Sequence, residues 1–411
     1  MRSLGQSLMF GNRQLWAVSI VMMIRSTAMG GVWPYMALFL NEKMHVPVIE
    51  VGAAFAILAI SSALCHIVGG HISDFLGRKI AMIIAGIAGA IVYLALILSI
   101  VLLLPALIAV IFFILTSVSG GIIAPASTAM VADVTHISQR ENGYALYRVL
   151  TNIGWASGSL SAGFLYVHGM VFVFTLVEIL VIAQIAIISL FIRETGTLSE
   201  SSGMRLRDRL KQVAVFDKAL TMFSASTLLI TIMIAQFSVT LSLFSSERIN
   251  IPAGDIGYIY AINGLVVIIG QMPAIRIVNR INDFNGLITG SMLYAIGYLL
   301  VGFSHNLVDV LLDMIIITMG ENFTTPTIST IVSKLSPRDK MGRFMAFNGM
   351  ANSMGRALGP AVGSFFLFLF SSGPAMWASL DLFGISGVLL LIAIRKSGVL
   401  HEESYIHING G

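Results

Sequence analysis

Two long apolar runs of the chain are joined by Gly69-Gly70-His71-Ile72-Ser73-Asp74-Phe75-Leu76-Gly77-Arg78-Lys79. The charged residues Asp74, Arg78 and Lys79 cannot lie unpaired in hydrocarbon, where each costs about 2.5 kcal/mol or more. We therefore expect these residues, called the 69–79 segment below, to mark a membrane surface. Gly70 and Gly77 bracket the charges and, because they lack a Cβ, permit a tight turn or the close approach of a neighbouring helix.

The composition is that of an integral membrane protein. Of the 411 residues, 57% are hydrophobic and only 11% are charged, which is more apolar surface than a soluble domain hides in one core. The apolar runs are each about 20 to 28 residues long, the length that an α-helix needs to cross the hydrocarbon layer. The first run, at about 15–40, is longer than the core of a signal peptide, roughly 7 to 15 residues, so we expect a retained first helix.

Apolar length and polar breaks predict twelve spans of roughly 20 residues. They begin near residues 14, 48, 80, 105, 143, 169, 217, 254, 285, 307, 342 and 374. An even number of spans puts both termini on one side. The basic residues near span ends fall on that same side, with the exceptions of Lys43 and Arg248. By the positive-inside rule, both termini are therefore expected to be cytoplasmic.

The longest polar interval divides the chain into two halves. We predict an N-terminal six-helix bundle at 1–193, a cytoplasmic linker at 194–216, a C-terminal six-helix bundle at 217–396 and a cytoplasmic tail at 397–411. The linker alternates basic residues in an amphipathic pattern, which favours contact with anionic lipid.

Certain residues recur in the second half at a nearly constant offset. Pro47, Glu50 and Gly52 match Pro252, Asp255 and Gly257 at 205 positions (252 − 47), and Pro125, Gly154 and Gly158 match Pro326, Gly355 and Gly359 at 201 positions (326 − 125). Matches at the same helix ends predict two related bundles of six helices.

Taken together, these features resemble the major facilitator superfamily of transporters. Gly70, Asp74, Gly77, Arg78 and Lys79 match the spacing of its signature between the second and third helices. The resemblance covers the whole chain and implies an all-α polytopic membrane protein with twelve transmembrane helices in two pseudo-symmetric six-helix bundles. It also implies alternating access, and the pattern is most similar to the branch of proton-coupled drug and metabolite exporters.

Two glycine-rich segments also resemble those of exporters in this superfamily. Span five carries Gly154 and Gly158 with Ser159 where the family has proline, and span eleven carries the closer version. The glycines and proline expected to allow helix packing are Gly154, Gly158, Gly355, Gly359, Pro360 and Gly363. Span four, by contrast, lacks the arginine that many exporters carry. The second-half copy of the 69–79 segment has Asn279 and Asp283 at the Asp74 and Arg78 positions, which we interpret as erosion of the motif.

By the same resemblance, the 69–79 segment belongs to a conformational latch on the cytoplasmic side. Its residues are Gly70, Asp74, Gly77, Arg78 and Lys79, with Asp133 at the end of span four as the matching acid. Ion pairs suit a switch because they can form in one state and be hydrated in the other. The alternative is a charge cluster that only sets topology.

Three charges are predicted to lie near mid-membrane. Arg25, Glu321 and Arg356 are each about 17 to 21 Å from the start of their spans, at about 1.5 Å per residue. We predict that Glu321 carries a proton and that Arg25 or Arg356 changes its proton affinity during transport. The alternative is a fixed structural ion pair. For Glu178 and Asp381, in spans six and twelve, helix packing is the first interpretation and a proton relay the second.

Polar and aromatic residues near these charges are candidates for a substrate cavity. They are Trp33, Tyr35, Gln236, Asn322, Asn348 and Asn352. Aromatic surfaces with scattered amides favour a modest-sized amphipathic solute, although ordinary packing remains the alternative. Two arginines and one glutamate near mid-membrane would leave a net positive charge there, so a small organic anion is the second substrate class.

Several kinds of function are not expected. The chain has no Gly-x-x-x-x-Gly-Lys-Ser/Thr loop, and Cys65 is its one cysteine, so we predict no cofactor, no metal and no enzymatic activity. The net charge of +4 follows from topology, so no nucleic acid partner is expected. The predicted function is proton-coupled export by a monomer in the plasma membrane of a prokaryote, whose partners are a small-molecule substrate, protons and the lipid bilayer. A sensor that keeps the fold without transport is a third hypothesis.

Overall fold

The computed structural model describes residues 12–136, 139–195, 217–336 and 341–396. These residues are almost entirely helical and contain no strand. Only Glu194 and Thr195 of the predicted linker lie within the described ranges. The rest of that linker and the predicted tail, 397–411, lie outside them.

Thirteen α-helices occur in the described residues. The first half contains α1 Arg13–Leu38, α2 Val48–Leu76, α3 Arg78–Val101, α4 Ala106–Val134, α5 Arg140–Tyr166 and α6 Met170–Phe191. The second half contains α7 Lys218–Ile234, α8 Thr240–Glu247, α9 Ala253–Ile281, α10 Asp283–Val301, α11 Leu307–Leu335, α12 Met341–Leu369 and α13 Gly373–Lys396. The twelve long helices begin within three residues of the twelve predicted span starts, and the short helix α8 continues span seven.

Nine helical stretches of the described chain are long and apolar enough to cross a membrane. The other three long helices are α5, α11 and α12. Two of these helices contain candidate site residues, with Glu321 and Asn322 on α11 and Asn348, Asn352 and Arg356 on α12. Polar and charged residues in a membrane span are costly and mark functional positions.

By packing, the chain falls into two compact units. Unit 1 contains the described residues up to 195 together with 251–265. In it, α1 packs on α5 and α6, α4 packs on α2 and α3, and α3 also packs on α6. The apolar core beside α1 includes Leu15, Val21, Met82 and Ile188, each at most 1% exposed.

Unit 2 contains the described parts of 204–250 and 266–411. Here α7 packs on α12 and α13, and α10 packs on α11 and α13. These pairs repeat those of unit 1 when the six spans of each half are matched in order. The internal repeat in the sequence therefore corresponds to a repeat of helix pairing.

The first part of α9 packs with unit 1, and the predicted domains, which place it in the C-terminal bundle, stay a prediction. Residues 251–265 belong to unit 1 because glycines bring α9 against α5. An added Cβ at Gly257 would meet the Ser159 carbonyl of α5, and one at Gly264 would lie 3.1 Å from the Asn152 carbonyl. Small residues allow helix backbones to approach this closely in membranes.

Span seven is interrupted in the middle. Its first helix, α7, ends at Ile234, a 3₁₀ turn covers Ala235–Phe237, and α8 begins at Thr240. The Gln236 amide nitrogen donates to the carbonyls of Ile232 (2.7 Å) and Gly359 (3.1 Å), and its oxygen accepts from the Thr240 hydroxyl (2.6 Å). Gln236 thus satisfies polar groups at the break, as broken membrane helices require.

Candidate functional site

The 69–79 segment contains one sharp backbone turn, at Gly77. This residue has φ +94° and separates the end of α2 at Leu76 from the start of α3 at Arg78. The Arg78 Nε lies 3.3 Å from Asp133 Oδ2, with the two side chains 17% and 32% exposed. The Arg78 guanidinium also donates to the Ser73 carbonyl at 3.3 Å. The turn therefore brings Arg78 to the predicted acid at the end of α4.

Glu194, at the end of span six, also belongs to this cluster. Its carboxylate accepts hydrogen bonds from the backbone N–H groups of Arg78 (2.7 Å), Lys79 (3.0 Å) and Ile80 (3.4 Å). An anion at a helix N-terminus satisfies unpaired donors and interacts favourably with the helix dipole. The next residue, Thr195, donates to Asp133 Oδ2 at 3.1 Å. Sequence reasoning missed Glu194, although an acid directly after an apolar span was a visible signal.

Two glycines of the predicted latch lie in different surroundings. At Gly77, an added Cβ would lie 2.5 Å from Glu194 Oε2. Gly70 lies inside α2, and an added Cβ there would meet no atom of the described residues within 4 Å. Among these residues, the close approach of α2 to a neighbouring helix is made by Gly69, beside Gly121, and the part of Gly70 in the latch stays a prediction. Asp74 lies in the last turn of α2, and its part in the latch stays a prediction.

The deep residues of unit 1 gather around two tyrosines. Arg25 of α1 interacts electrostatically with Tyr93 of α3 and Tyr147 of α5. Its guanidinium lies against Gly120 of α4, where a Cβ would collide with it. Tyr93 is also within electrostatic range of Glu178 on α6. In the described part of the chain, Glu178 Oε2 is buried without a hydrogen-bond partner.

The deep residues of unit 2 gather in the same way around one tyrosine. Tyr294 of α10 interacts electrostatically with Glu321 of α11 and with Arg356 of α12. Glu321 is partly buried. Arg356 as a whole residue is exposed, although protein atoms surround most of its guanidinium group. Tyr93 and Tyr294 are separated by 201 positions (294 − 93), one of the two repeat offsets. The structure thus groups Glu321 with Arg356, and it groups Arg25 with residues of unit 1.

Most of the predicted cavity residues are buried. Tyr35, Gln236, Asn322 and Asn348 are at most 4% exposed. The Tyr35 hydroxyl donates to the Ser159 carbonyl at 3.2 Å, and Trp33 packs edge-on against Phe55. These contacts, with those of Gln236, indicate helix packing, which is the alternative to a cavity role.

The asparagines of α12 form a ladder with α7. The Asn348 amide donates to Thr227 (2.9 Å) and Ser224 (3.3 Å), and Asn352 donates to Asn348 Oδ1 (2.9 Å) while accepting from Thr231 (2.9 Å). The ladder joins the two helices and leaves little of these amides for a solute. Asn322 differs, because its Oδ1 has no partner among the described residues while its nitrogen donates to the Val266 carbonyl at 3.1 Å.

The predicted packing glycines lie at close helix contacts within each unit. On α5, Gly154 and Gly158 face the backbone of α1 at Met23 and Thr27. On α12, the corresponding residues face span seven: Gly355 lies beside Leu228 and Thr231, Gly359 beside Ile232 and Ala235, and Gly363 beside Gln236 and Thr240. Pro360 lies inside α12. Helix pairs at equivalent positions of the repeat are therefore joined in the same way.

A protein-family model described as Major Facilitator Superfamily matches residues 18–360 and 223–400. The chain belongs to the major facilitator superfamily. Multidrug resistance protein 2 of Bacillus subtilis (strain 168) is 26% identical over 395 residues, which cover 91% of this chain and 92% of that protein. The uncharacterised MFS-type transporter YhjO of the same organism is 22% identical over 363 residues, 88% of each chain.

A solved structure has a similar fold. The crystal structure of the human organic anion transporter MFSD10 (TETRAN) matches with a TM-score of 0.68 at 17% identity, covering 92% of this chain and 99% of the other. Together with the helix content, this likeness confirms the predicted superfamily fold. The family and its members are integral membrane transporters and not enzymes, which confirms those two predictions.

Proposed function

We propose that this superfamily member is a secondary active transporter that works by alternating access and exports small amphipathic compounds in exchange for protons. The grouping of Glu321, Tyr294 and Arg356 in unit 2 is the observation that carries the proposal. A carboxylate in a membrane span, close to a phenol that a guanidinium also approaches, suits a group whose charge changes during a cycle. The similarity to a protein named for multidrug resistance supports the substrate class.

In this proposal, Glu321 carries the proton and Arg356 competes with the proton for its negative charge. Arg356 takes this role in preference to Arg25, because it shares a unit and a tyrosine neighbour with Glu321. The cytoplasmic cluster around Arg78, Asp133 and Glu194 serves as the latch of unit 1. The protein lies in the plasma membrane of a prokaryote, with both termini in the cytoplasm.

The test measures solute-driven proton movement in sealed vesicles that contain the purified full-length protein and an internal pH dye. Ethidium, a lipophilic cation, is expected to drive proton movement in the parent protein. Replacing Glu321 by Gln keeps the shape of the side chain and removes its charge, so it is expected to lower this movement at least about tenfold. Proton movement retained in Glu321→Gln overturns the assignment of Glu321.

A matched pair of tyrosine variants tests the grouping itself. Tyr294→Phe removes the hydroxyl near Glu321 and Arg356 and is expected to alter the pH dependence of ethidium-driven transport. Tyr298→Phe, one turn away on α10, removes a hydroxyl that donates to the Ile234 carbonyl at 3.1 Å. It is expected to lower the unfolding temperature without changing the pH profile. The same pH change in both variants contradicts a specific role for Tyr294.

Proton-linked transport of a small organic anion is the second candidate. It is favoured by the position of Arg356 in a membrane helix, since a planar guanidinium binds a carboxylate through two parallel hydrogen bonds. Proton movement driven by benzoate and not by ethidium, and lost in Arg356→Gln, establishes this candidate. Vesicles that respond to neither class, across a panel of cations and carboxylates, support a sensor that does not transport.

A further inference from the structure

The cytoplasmic end of unit 2 contains an ion pair between α10 and α11. Lys334 Nζ lies 2.5 Å from Asp283 Oδ2, with the two side chains 39% and 13% exposed. Asp283 is the first residue of α10, and Lys334 lies in the last turn of α11. The pair therefore ties the start of one membrane helix to the end of the next.

This pair occupies the place that Arg78 and Asp133 occupy in unit 1. Asp283 follows Arg78 by 205 positions (283 − 78), and Lys334 follows Asp133 by 201 positions (334 − 133), the two offsets of the repeat. The one-residue turn also recurs. Asn282 has φ +69° at the position equivalent to Gly77, which has φ +94°. The ion pair is thus the same structural element with its two charges exchanged.

A third residue repeats with the opposite charge. Arg395, in the last turn of α13, follows Glu194 by 201 positions (395 − 194). Its guanidinium donates to Asn285 Oδ1 at 2.8 Å, in the first turn of α10. Glu194 also contacts the first turn of its neighbouring helix, but it accepts from the backbone N–H groups of α3. The charges of Arg78, Asp133 and Glu194 are therefore inverted in unit 2, whereas Asp74 and Lys79 correspond to the uncharged Asn279 and Phe284.

We propose that Asp283, Lys334 and Arg395 form a second latch, which positions α10 and α11 during transport as the Arg78 cluster positions α3 and α4. The attraction between two unit charges does not depend on which residue carries which sign. The inversion therefore keeps the ion pair, although the sequence pattern of the 69–79 segment is lost. This inference rests on the proposed transport function.

The inversion changes how each latch agrees with its helix dipoles. Asp283 at a helix N-terminus and Lys334 at a helix C-terminus are both favoured by the dipoles of α10 and α11. Arg78 and Asp133 occupy the same ends with the opposite signs, and the Glu194 carboxylate offsets this at α3. The helix dipoles therefore favour the charges of the second latch more than those of the first.

The test compares charge removal with charge exchange in the full chain, in the vesicle assay with ethidium. Asp283→Ala and Lys334→Ala are each expected to lower the maximal rate about fivefold or more, with the half-saturating ethidium concentration unchanged, since the pair acts on helix position and not on the bound solute. The exchange Asp283→Lys with Lys334→Asp is expected to restore most of the rate. The rate of the exchange variant stays below that of the parent protein, because the helix dipoles then oppose both charges.

Lys396→Ala is the matched control. This substitution removes a positive charge from the same turn as Arg395. Lys396 has no ion pair with any described residue, so the variant is expected to transport at the parent rate. Parent rates in both single variants, or an exchange variant no better than the single ones, overturn the second latch.

The stability of the purified protein separates failure of the latch from failure of the proposed function. If parent vesicles move no protons with ethidium or benzoate, the proposed function fails. The unfolding temperatures then decide the inference: both single variants are expected to unfold below the parent and the exchange variant above the single ones. An exchange variant as unstable as the single variants overturns the pairing.

Discussion

Gly77 is the residue on which the connection between α2 and α3 depends. Its backbone, at φ +94° and ψ 153°, lies in a region that is almost exclusive to glycine. The Glu194 carboxylate fills the space in which a side chain would lie. Asn282, at the equivalent turn of unit 2, adopts a positive φ and accepts a hydrogen bond from the Asn285 N–H at 3.0 Å. Each unit thus turns the chain at a single residue with a positive φ angle.

Gly77→Ala is expected to destabilise the protein by about 1 to 3 kcal/mol, through backbone strain and displacement of Glu194. The measurement is thermal unfolding of the purified protein in detergent. The control is Gly70→Ala, seven residues earlier, where the added methyl group meets open space and alanine is a better helix former. Equal unfolding temperatures for the parent and Gly77→Ala contradict the strain argument.

At the scale of helices, the contact between α1 and α5 decides where Arg25 lies. Gly154 and Gly158 allow the backbone of α5 to meet α1 at Met23 and Thr27, on either side of Arg25. The Ser26 hydroxyl donates to the Thr151 carbonyl at 2.6 Å and strengthens this pairing. A helix contact that uses backbone atoms on both sides cannot relax by moving a side chain.

Gly158→Ala is therefore expected to force α1 and α5 apart. An added Cβ would lie 2.7 Å from the Thr27 carbonyl carbon and 2.9 Å from its Cα, both backbone atoms. Overpacking of this kind costs about 1 to 3 kcal/mol, and displacement of Arg25 is expected to lower transport as well. The measurements are the unfolding temperature and the vesicle assay.

Gly349→Ala serves as the control for this helix contact. Gly349 lies inside α12, and no atom of the described residues lies within 4 Å of an added Cβ, so alanine is expected to leave both measurements unchanged. If Gly158→Ala behaves like Gly349→Ala, the contact between α1 and α5 is looser than the structure indicates.

At the scale of the whole molecule, the distribution of basic residues predicts orientation. A green fluorescent protein fused after Lys396 is expected to fluoresce in a bacterial host, because this end is predicted to be cytoplasmic. Alkaline phosphatase fused at the same position is expected to be inactive, since its disulfides require an oxidising compartment. The control fusion, after Phe303 between α10 and α11, is expected to give the opposite pair of results. Matching results at the two positions contradict the predicted topology.

Some of the candidate site was predictable because charge in a membrane span is conspicuous. Arg25, Glu321 and Arg356 stand out as isolated charges in apolar runs, and Arg78 stands out with its motif. Tyr93 and Tyr294 were not predictable, because tyrosine is common in membrane helices and only packing shows which one meets a charge. The same holds for Gln236, whose amide is explained by a helix break that apolar length does not reveal.

The sequence by itself determined the twelve spans, the twofold repeat and the superfamily, because hydrophobic length and glycine spacing are local properties of the chain. Tertiary structure decided which charges share a unit, which amides are used in packing, and that 251–265 pack with α5. It also revealed the ion pair of Asp283 with Lys334, where motif comparison had indicated erosion. A motif records the identity of residues, whereas an ion pair needs only opposite charges brought together by the fold.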